Sequence, residues 1–169
     1  MTFHLRIGTP VGPMTLTKDD DALTGAYLEN LVPAIDGKRD AGAFVEERRQ
    51  LEEYFAGERT RFDLRLAPRG TPFQSRVWNA LLEVGYGRTA SYGEIARSIG
   101  RPEASRAVGA ANGKNPIAII VPCHRIIGSS GSLVGYAGGL PRKKWLLAHE
   151  SSQRRLYTEM IGTPSCVST

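Results

Sequence analysis

The chain has 169 residues, 41% hydrophobic and 23% charged, with a net charge of +5. That length suits one domain or two small ones and can bury a real core. No apolar run is long enough for a membrane span, and the opening Met1-Thr2-Phe3-His4 lacks a secretory leader pattern. Two cysteines, Cys123 and Cys166, and three histidines show no metal-ligand spacing. A disulfide would tie an apolar stretch to a polar tail, so a reducing, cytoplasmic setting with Cys123 as a free thiol is expected.

The charge is unevenly placed. Residues 1–70 carry 10 Lys/Arg and 12 Asp/Glu, whereas residues 71–169 carry 12 Lys/Arg and 5 Asp/Glu. A second half at +7 suggests a polyanionic partner, most often nucleic acid.

Phe3-His4-Leu5-Arg6-Ile7 alternates as a half-buried strand does. After a Gly/Pro turn, Met14-Thr15-Leu16-Thr17 returns as a second strand, and Leu23 to Glu29 can supply a third. Asp19-Asp20-Asp21 between them reads as a solvated hairpin end rather than a metal site. Residues 30–42 read as a loop. Phe44, Leu51, Tyr54 and Phe55 mark one face of an amphipathic helix from Ala43 to Ala56, which Gly57 can end. Phe62, Leu64 and Leu66 alternate again as a last strand. This first part is a small antiparallel sheet with a helix and shows no evident chemistry.

Ala67-Pro68-Arg69-Gly70-Thr71-Pro72 is a linker, which places a domain boundary between residues 69 and 70. Thr71 is a plausible N-cap, with Pro72 in the first turn of a helix that carries Phe73, Val77, Trp78, Leu81 and Leu82. Ser91 with Glu94 makes a capping box for a helix from Tyr92 to Ile99. After Gly100-Arg101, Pro102 is expected to open a second helix through about Asn112, with Glu103 at its positive end. Two short helices around a tight turn read as a helix-turn-helix. The second helix offers mainly Ala, Gly and Ser, with Arg106 as its one long polar side chain. Base-reading helices need Arg, Asn, Gln or Lys at several positions. This face suits either tight helix packing or a narrow groove read through phosphates and shape.

Ile119-Ile120-Val121-Pro122-Cys123-His124-Arg125-Ile126-Ile127 is unusual: an apolar run stops at a proline, and a thiol, an imidazole and a guanidinium follow in succession. Cys123 is either a small buried hydrophobe or a nucleophile activated by its neighbours. Adjacent residues do not face one another in regular structure, so His124 would need a bridging water or a local turn to act on the Cys123 sulfur. Leu133 to Gly139 is a glycine-rich segment around Tyr136, where the backbone can approach a ligand. Pro141 starts a final helix in which Glu150 shares the face of Leu146 and Leu147. A carboxylate on an apolar face wants a partner, which makes Glu150 a candidate third member after Cys123 and His124. Residues 153–169 are polar, without periodicity, and read as a flexible tail.

Taken together, these motifs resemble the methylated-DNA–protein-cysteine methyltransferases, also called O6-alkylguanine-DNA alkyltransferases. The resemblance rests on Gly70-Thr71, Phe73-Gln74, Val77-Trp78, Ser91-Tyr92-Gly93, Arg106-Ala107-Val108-Gly109 and Asn115-Pro116. Pro122-Cys123-His124-Arg125, Gly135-Tyr136, Gly138-Gly139 and Leu146-Leu147 with Glu150 complete it. It is dense over residues 70–150 and loose over residues 1–69.

The resemblance implies an α+β protein of two domains: an RNase H-like small sheet plus helix over residues 1–69, and a winged helix-turn-helix over residues 70–152. It implies irreversible transfer of an alkyl group from O6-alkylguanine, and from O4-alkylthymine, in double-stranded DNA to Cys123. No cofactor is used, each molecule reacts once, and the target base is flipped out of the duplex. In the catalytic roles, His124 would deprotonate Cys123 through a water, Glu150 would orient His124, and Asn115 would hold the turn before the active site. Arg106 would fill the vacated place from a minor-groove helix, with Ser105, Ala107 and Arg125 against DNA and Tyr92 on the flipped nucleotide. Val134, Tyr136, Ala137, Gly138 and Ile126 would line the guanine pocket. The protein would act as a monomer, with cooperative assembly on DNA left open.

Two departures stand out. Some family members carry a serine where Ala137 stands, so here only a backbone N–H would face the guanine oxygen. Some bind zinc through first-domain cysteines, which this chain lacks, so no metal is expected. A DNA-binding lesion sensor without chemistry and a thiol hydrolase are the competing readings. The first makes the Cys-His-Arg run an accident, and the second leaves the basic half unexplained.

Overall fold

The structure, a computed structural model, describes the backbone of residues 1–161 and the side chains of residues 1–152. The alternating N-terminal segments form Thr2–Ile7 (β1), Met14–Asp19 (β2) and Ala22–Leu28 (β3), an antiparallel meander. Their register places Leu5, Leu16 and Ala26 side by side, and all three are buried, so one pleat face makes the core. The sheet gains a fourth member, Lys38–Arg39 (β4), parallel to β1, in the order β3-β2-β1-β4. This strand lies inside residues 30–42, expected to be a loop. Its two residues are exposed and charged, so no hydrophobic pattern marks it.

The expected strand through Phe62, Leu64 and Leu66 does not form. Alternation of burial is present there, but the segment pairs only once: Leu23 N–H donates to Arg65 O and Ala67 N–H to Leu23 O, both at 2.8 Å. Further along the same edge of β3, Ala26 N–H donates to Pro116 O (2.8 Å) and Ala118 N–H to Ala26 O (2.9 Å). The outer edge of β3 is thus shared by two segments from different parts of the chain. That sharing stitches the N-terminal sheet to the turn preceding Cys123.

A 3-10 turn over Ala41–Phe44 leads into Val45–Phe55 (α1), which buries Leu51 and Tyr54 and stops before Gly57 at φ 78. In the second half, reciprocal capping boxes start two helices. Thr71 with Gln74 opens Pro72–Leu82 (α2), and Ser91 with Glu94 opens Tyr92–Ser98 (α3). The next helix, Ser105–Gly113 (α4), begins three residues later than expected. Pro102 and Glu103 lie in the preceding turn, where Glu103 pairs with Arg101 at 2.7 Å instead of sitting at a helix terminus. Trp78 is core: its indole N–H donates to Ala111 O at 2.9 Å, fixing α2 against α4.

Ala90–Ser91 (β5) and Ile126–Ile127 (β6) form a short parallel ladder beside these helices. The last helix, Leu140–Ile161 (α5), continues well past Glu150 through residues expected in a flexible tail. Cys166 and the rest of residues 162–169 lie outside the described residues. Among the described residues, no helix is long and apolar enough to cross a membrane.

Candidate active site

Cys123, His124 and Arg125 do not continue a strand. The chain before them makes a knot of tight turns, with Ile120 N–H donating to Ala118 O, Val121 N–H to Ile117 O and Cys123 N–H to Val121 O. Ile119 sits at φ 71, an unfavourable region for a β-branched residue, and is held there by near-complete burial. Asn115 ties the knot. Its Oδ1 accepts from Ile117 N (3.0 Å), and its Nδ2 donates to Val121 O (2.9 Å) and Ile117 O (3.3 Å). Asn112, at the end of α4, donates to Cys123 O at 3.3 Å. The cysteine is therefore tied to α4 through Asn112, while Asn115, just past the helix, fixes the turn that leads to it. Residues 123–125 themselves form one 3-10 turn, which turns three consecutive side chains in different directions.

His124 and Arg125 both reach Glu150 on α5. His124 Nε2–H lies 2.7 Å from Glu150 Oε1, while Arg125 donates from Nε to Oε2 (2.9 Å) and from NH2 to Oε1 (3.0 Å). A fourth donor comes from the N-terminal half: Tyr54 Oη–H, 2.8 Å from Oε1. Arg125 also donates to Val84 O (2.7 Å) and lies over the Tyr86 ring. All of these side chains are buried or nearly so.

Burial alone would push the Glu150 carboxyl up. The hydrogen bonds and charges of His124 and Arg125 outweigh it and hold the group at about 2. Glu150 is therefore an anion at any ordinary pH. Burial lowers the His124 pKa, partly opposed by Glu150 and assisted by Arg125 and Lys143. The resting imidazole is thus neutral, with its one proton on Nε2 facing the carboxylate. Its Nδ1 must then be a bare acceptor, and it is buried with no partner among the described protein groups. Burial raises the Cys123 thiol, although Asn115, Lys143 and Tyr136 pull it down. A buried thiol at rest, next in the chain to an imidazole with a free acceptor, is a nucleophile waiting for a base, not a standing thiolate.

On the other side of Cys123 lies the glycine-rich segment. Lys143, fully buried on α5, donates through Nζ to Ile126 O, to Val134 O (3.2 Å) and to Gly135 O (3.1 Å), anchoring that segment. Tyr92 Oη–H donates to Val134 O at 3.1 Å. The Tyr136 hydroxyl is buried, and burial and the neighbouring Cys123 raise its pKa well above the usual value. A Cβ on Gly138 would fall 2.3 Å from Leu28 Cδ1 and 2.8 Å from the Tyr136 ring, so a larger residue there would force those side chains to move.

Most of the expected site residues therefore converge: Cys123, His124, Glu150 and Asn115 around the thiol, and Tyr92, Val134, Tyr136 and Gly138 across from it. Ala137 is exposed, and its carbonyl accepts from Asn30 at 3.4 Å. Ile126 is buried in the core, so its side chain lines no open pocket, and its carbonyl serves Lys143 instead. Arg125 must be corrected. Expected against DNA, it is buried with its guanidinium committed to Glu150 and Val84. Arg106 and Ala107 are exposed on α4, and Ser105 is half-buried.

Sequence reasoning missed Tyr54, Asn112 and Lys143. Lys143 could have been found: it shares a helix face with Leu146, Leu147 and Glu150 by the spacing that singled out Glu150. Tyr54 could not, because its partner is 96 residues away.

Helices α3 and α4 as a helix-turn-helix, together with a buried thiol next in the chain to an imidazole–carboxylate pair, fit a nucleic-acid-binding protein with a nucleophilic cysteine. Residues 72–152 match the family described as 6-O-methylguanine DNA methyltransferase, DNA binding domain, and residues 6–68 match its ribonuclease-like domain. A methylated-DNA–protein-cysteine methyltransferase of Mycobacterium bovis is 53% identical over 158 residues, covering 90% of this chain and 94% of the relative. One of Methanosarcina acetivorans is 51% identical over 154 residues, covering 85% of this chain and 95% of its own. The crystal structure of Mycobacterium tuberculosis OGT in complex with DNA superposes with a TM-score of 0.87 at 53% identity, covering 89% of this chain and 94% of that one. The chain belongs to the 6-O-methylguanine DNA methyltransferase family.

Proposed function

We propose that this protein repairs DNA directly, taking the alkyl group from O6-alkylguanine, and from O4-alkylthymine, onto Cys123 once per molecule. The observation that carries this reading is a buried Cys123 followed directly in the chain by His124, whose Nε2 meets the Glu150 carboxylate at 2.7 Å and whose Nδ1 is buried without a partner among the described protein groups. In that arrangement a water between Cys123 and His124 Nδ1 relays the thiol proton to the imidazole. The thiolate sulfur attacks the alkyl carbon, a C–S bond forms, the C–O6 bond breaks, and the guanine leaves with the electron pair and takes up a proton. The product is a thioether, and nothing in the relay can cleave it, so the protein is spent.

Asn115 fixes the turn that delivers Cys123. Tyr92, Tyr136, Gly138, Val134 and the backbone at Ala137 border the flipped base, which a duplex must expel before Sγ can reach it. Arg106 is the one long side chain on the exposed face of α4, and it fills the gap in the stack. Ser105 and Ala107 beside it let that helix press into the minor groove. On this reading the DNA-binding and alkyl-accepting unit begins at residue 70, residues 1–69 form the ribonuclease-like unit, and the protein works as a monomer in the cytoplasm. Cys123→Ser tests the assignment: transfer from an O6-methylguanine duplex should vanish while duplex binding is retained. Transfer that survives the substitution would refute it.

A further inference from the structure

The ribonuclease-like half contributes one group to the relay itself. Tyr54, on α1, is fully buried, and its hydroxyl donates to Glu150 Oε1, the same oxygen that faces His124 Nε2–H. We propose that Tyr54 is a positioning residue for alkyl transfer: its hydroxyl pins the Glu150 carboxylate and moderates the pull of that carboxylate on the His124 imidazole. The inference rests on the relay described under Proposed function.

The geometry leaves Tyr54 little freedom. Its ring packs edge-on against Phe55, Tyr86 and His149 and lies tilted against Phe62, with centroids 5.1–6.2 Å away. Its carbonyl is 2.9 Å from His149 Nε2, which returns the contact from α5. Burial and the Glu150 carboxylate hold the hydroxyl far above its usual range, so it is a permanent donor and never a proton source. The charged and titratable groups around the His124–Glu150 pair are then Arg125 from the same 3-10 turn, Lys143 and His149 from α5, and Tyr54 from α1. Cys123 shares that 3-10 turn, and Tyr86 and Tyr136 come from the surrounding loops. Arg125 spans both carboxylate oxygens, whereas Tyr54 touches only the one that His124 uses. Losing the Tyr54 donor leaves Oε1 more negative toward the imidazole N–H. Imidazolium becomes easier to form, and His124 remains protonated to a higher pH.

The test is Tyr54→Phe, which keeps the ring and removes one oxygen. Saturation kinetics with free O6-benzylguanine give a half-saturation concentration and a maximal rate of Cys123 alkylation at each pH. The expected result is an acid limb displaced to higher pH and a maximal rate at about pH 6 down about tenfold, the cost of one hydrogen bond to a charged group. Recovery is expected near pH 8.5, with half-saturation unchanged. A merely structural tyrosine would lower thermal stability without moving the pH profile. Combining Tyr54→Phe with Glu150→Gln should add no further displacement, because the oxygen that couples them has lost its charge. An unmoved profile with a rate within about twofold of wild type overturns the role of Tyr54 alone. Wild-type protein that gains no benzyl group on Cys123 overturns the relay and this inference together.

Discussion

Two regions of this molecule, the buried cluster around Glu150 and the exposed face of α4, are built on opposite plans. Around Glu150 the carboxylate charge is met: it accepts from His124, twice from Arg125 and from Tyr54, and the group left open there is His124 Nδ1. On α4 the exposed face carries Arg106 among small residues, and its buried face packs Val108, Ala111 and Asn112. The first plan fixes a proton relay before substrate arrives, which is where preorganised electrostatics act best. The second leaves room for a second macromolecule to come close. Asn112 connects them, since the helix that would meet DNA also donates from that side chain to Cys123 O, and Asn115 just beyond the helix holds the turn leading to Cys123 through Val121 O.

Substitutions should separate the two plans, beginning with the largest effect. Cys123→Ser should abolish transfer outright, measured by intact mass, and leave duplex affinity in place. Glu150→Gln should slow alkylation by about 100-fold, in the range of general acid–base effects, on free base and duplex alike. Arg106→Ala should cost on the order of tenfold or more in duplex, where stacking must be replaced, and nothing with free O6-benzylguanine. Equal losses on both substrates would dissolve the comparison.

Acid should attack the relay through Glu150. The folded-state pKa of Glu150 is depressed, so its contribution to stability is complete above the ordinary carboxyl value of 4.5 and is lost as pH falls toward about 2. Thermal melts in that window should show a steep loss of stability that Glu150→Gln flattens. The smallest effect belongs to the rim: Asn30→Ala, which removes an exposed 3.4 Å contact to Ala137 O, should change the free-base rate by less than about twofold.

The helical half of the fold was legible because its signals are local. Thr71-Pro72 with Gln74 and Ser91 with Glu94 carry the capping chemistry within four residues, and both helices start where those residues say. The start of α4 was misplaced because Pro102 and Glu103 suit a helix terminus and a turn equally well. Local alternation at Phe62–Leu66 was real, but a strand needs a partner along its length. The edge of β3 had already been divided between Leu66 and Ile117. In the site, Glu150 was found by its helix face. Arg125 was misread because its sequence neighbours are reactive groups, and only the 3-10 turn shows that it points inward, at Glu150.

The central claim, one alkyl group accepted by one thiol, is tested most directly by intact mass of the full chain after incubation with excess O6-methylguanine duplex. Peptide mapping of the product then locates the adduct. The account predicts a gain of a single methyl group per protein, on Cys123, with no further gain or turnover however long the incubation. No gain, a methyl group on another residue, or more than one guanine repaired per protein molecule would contradict it.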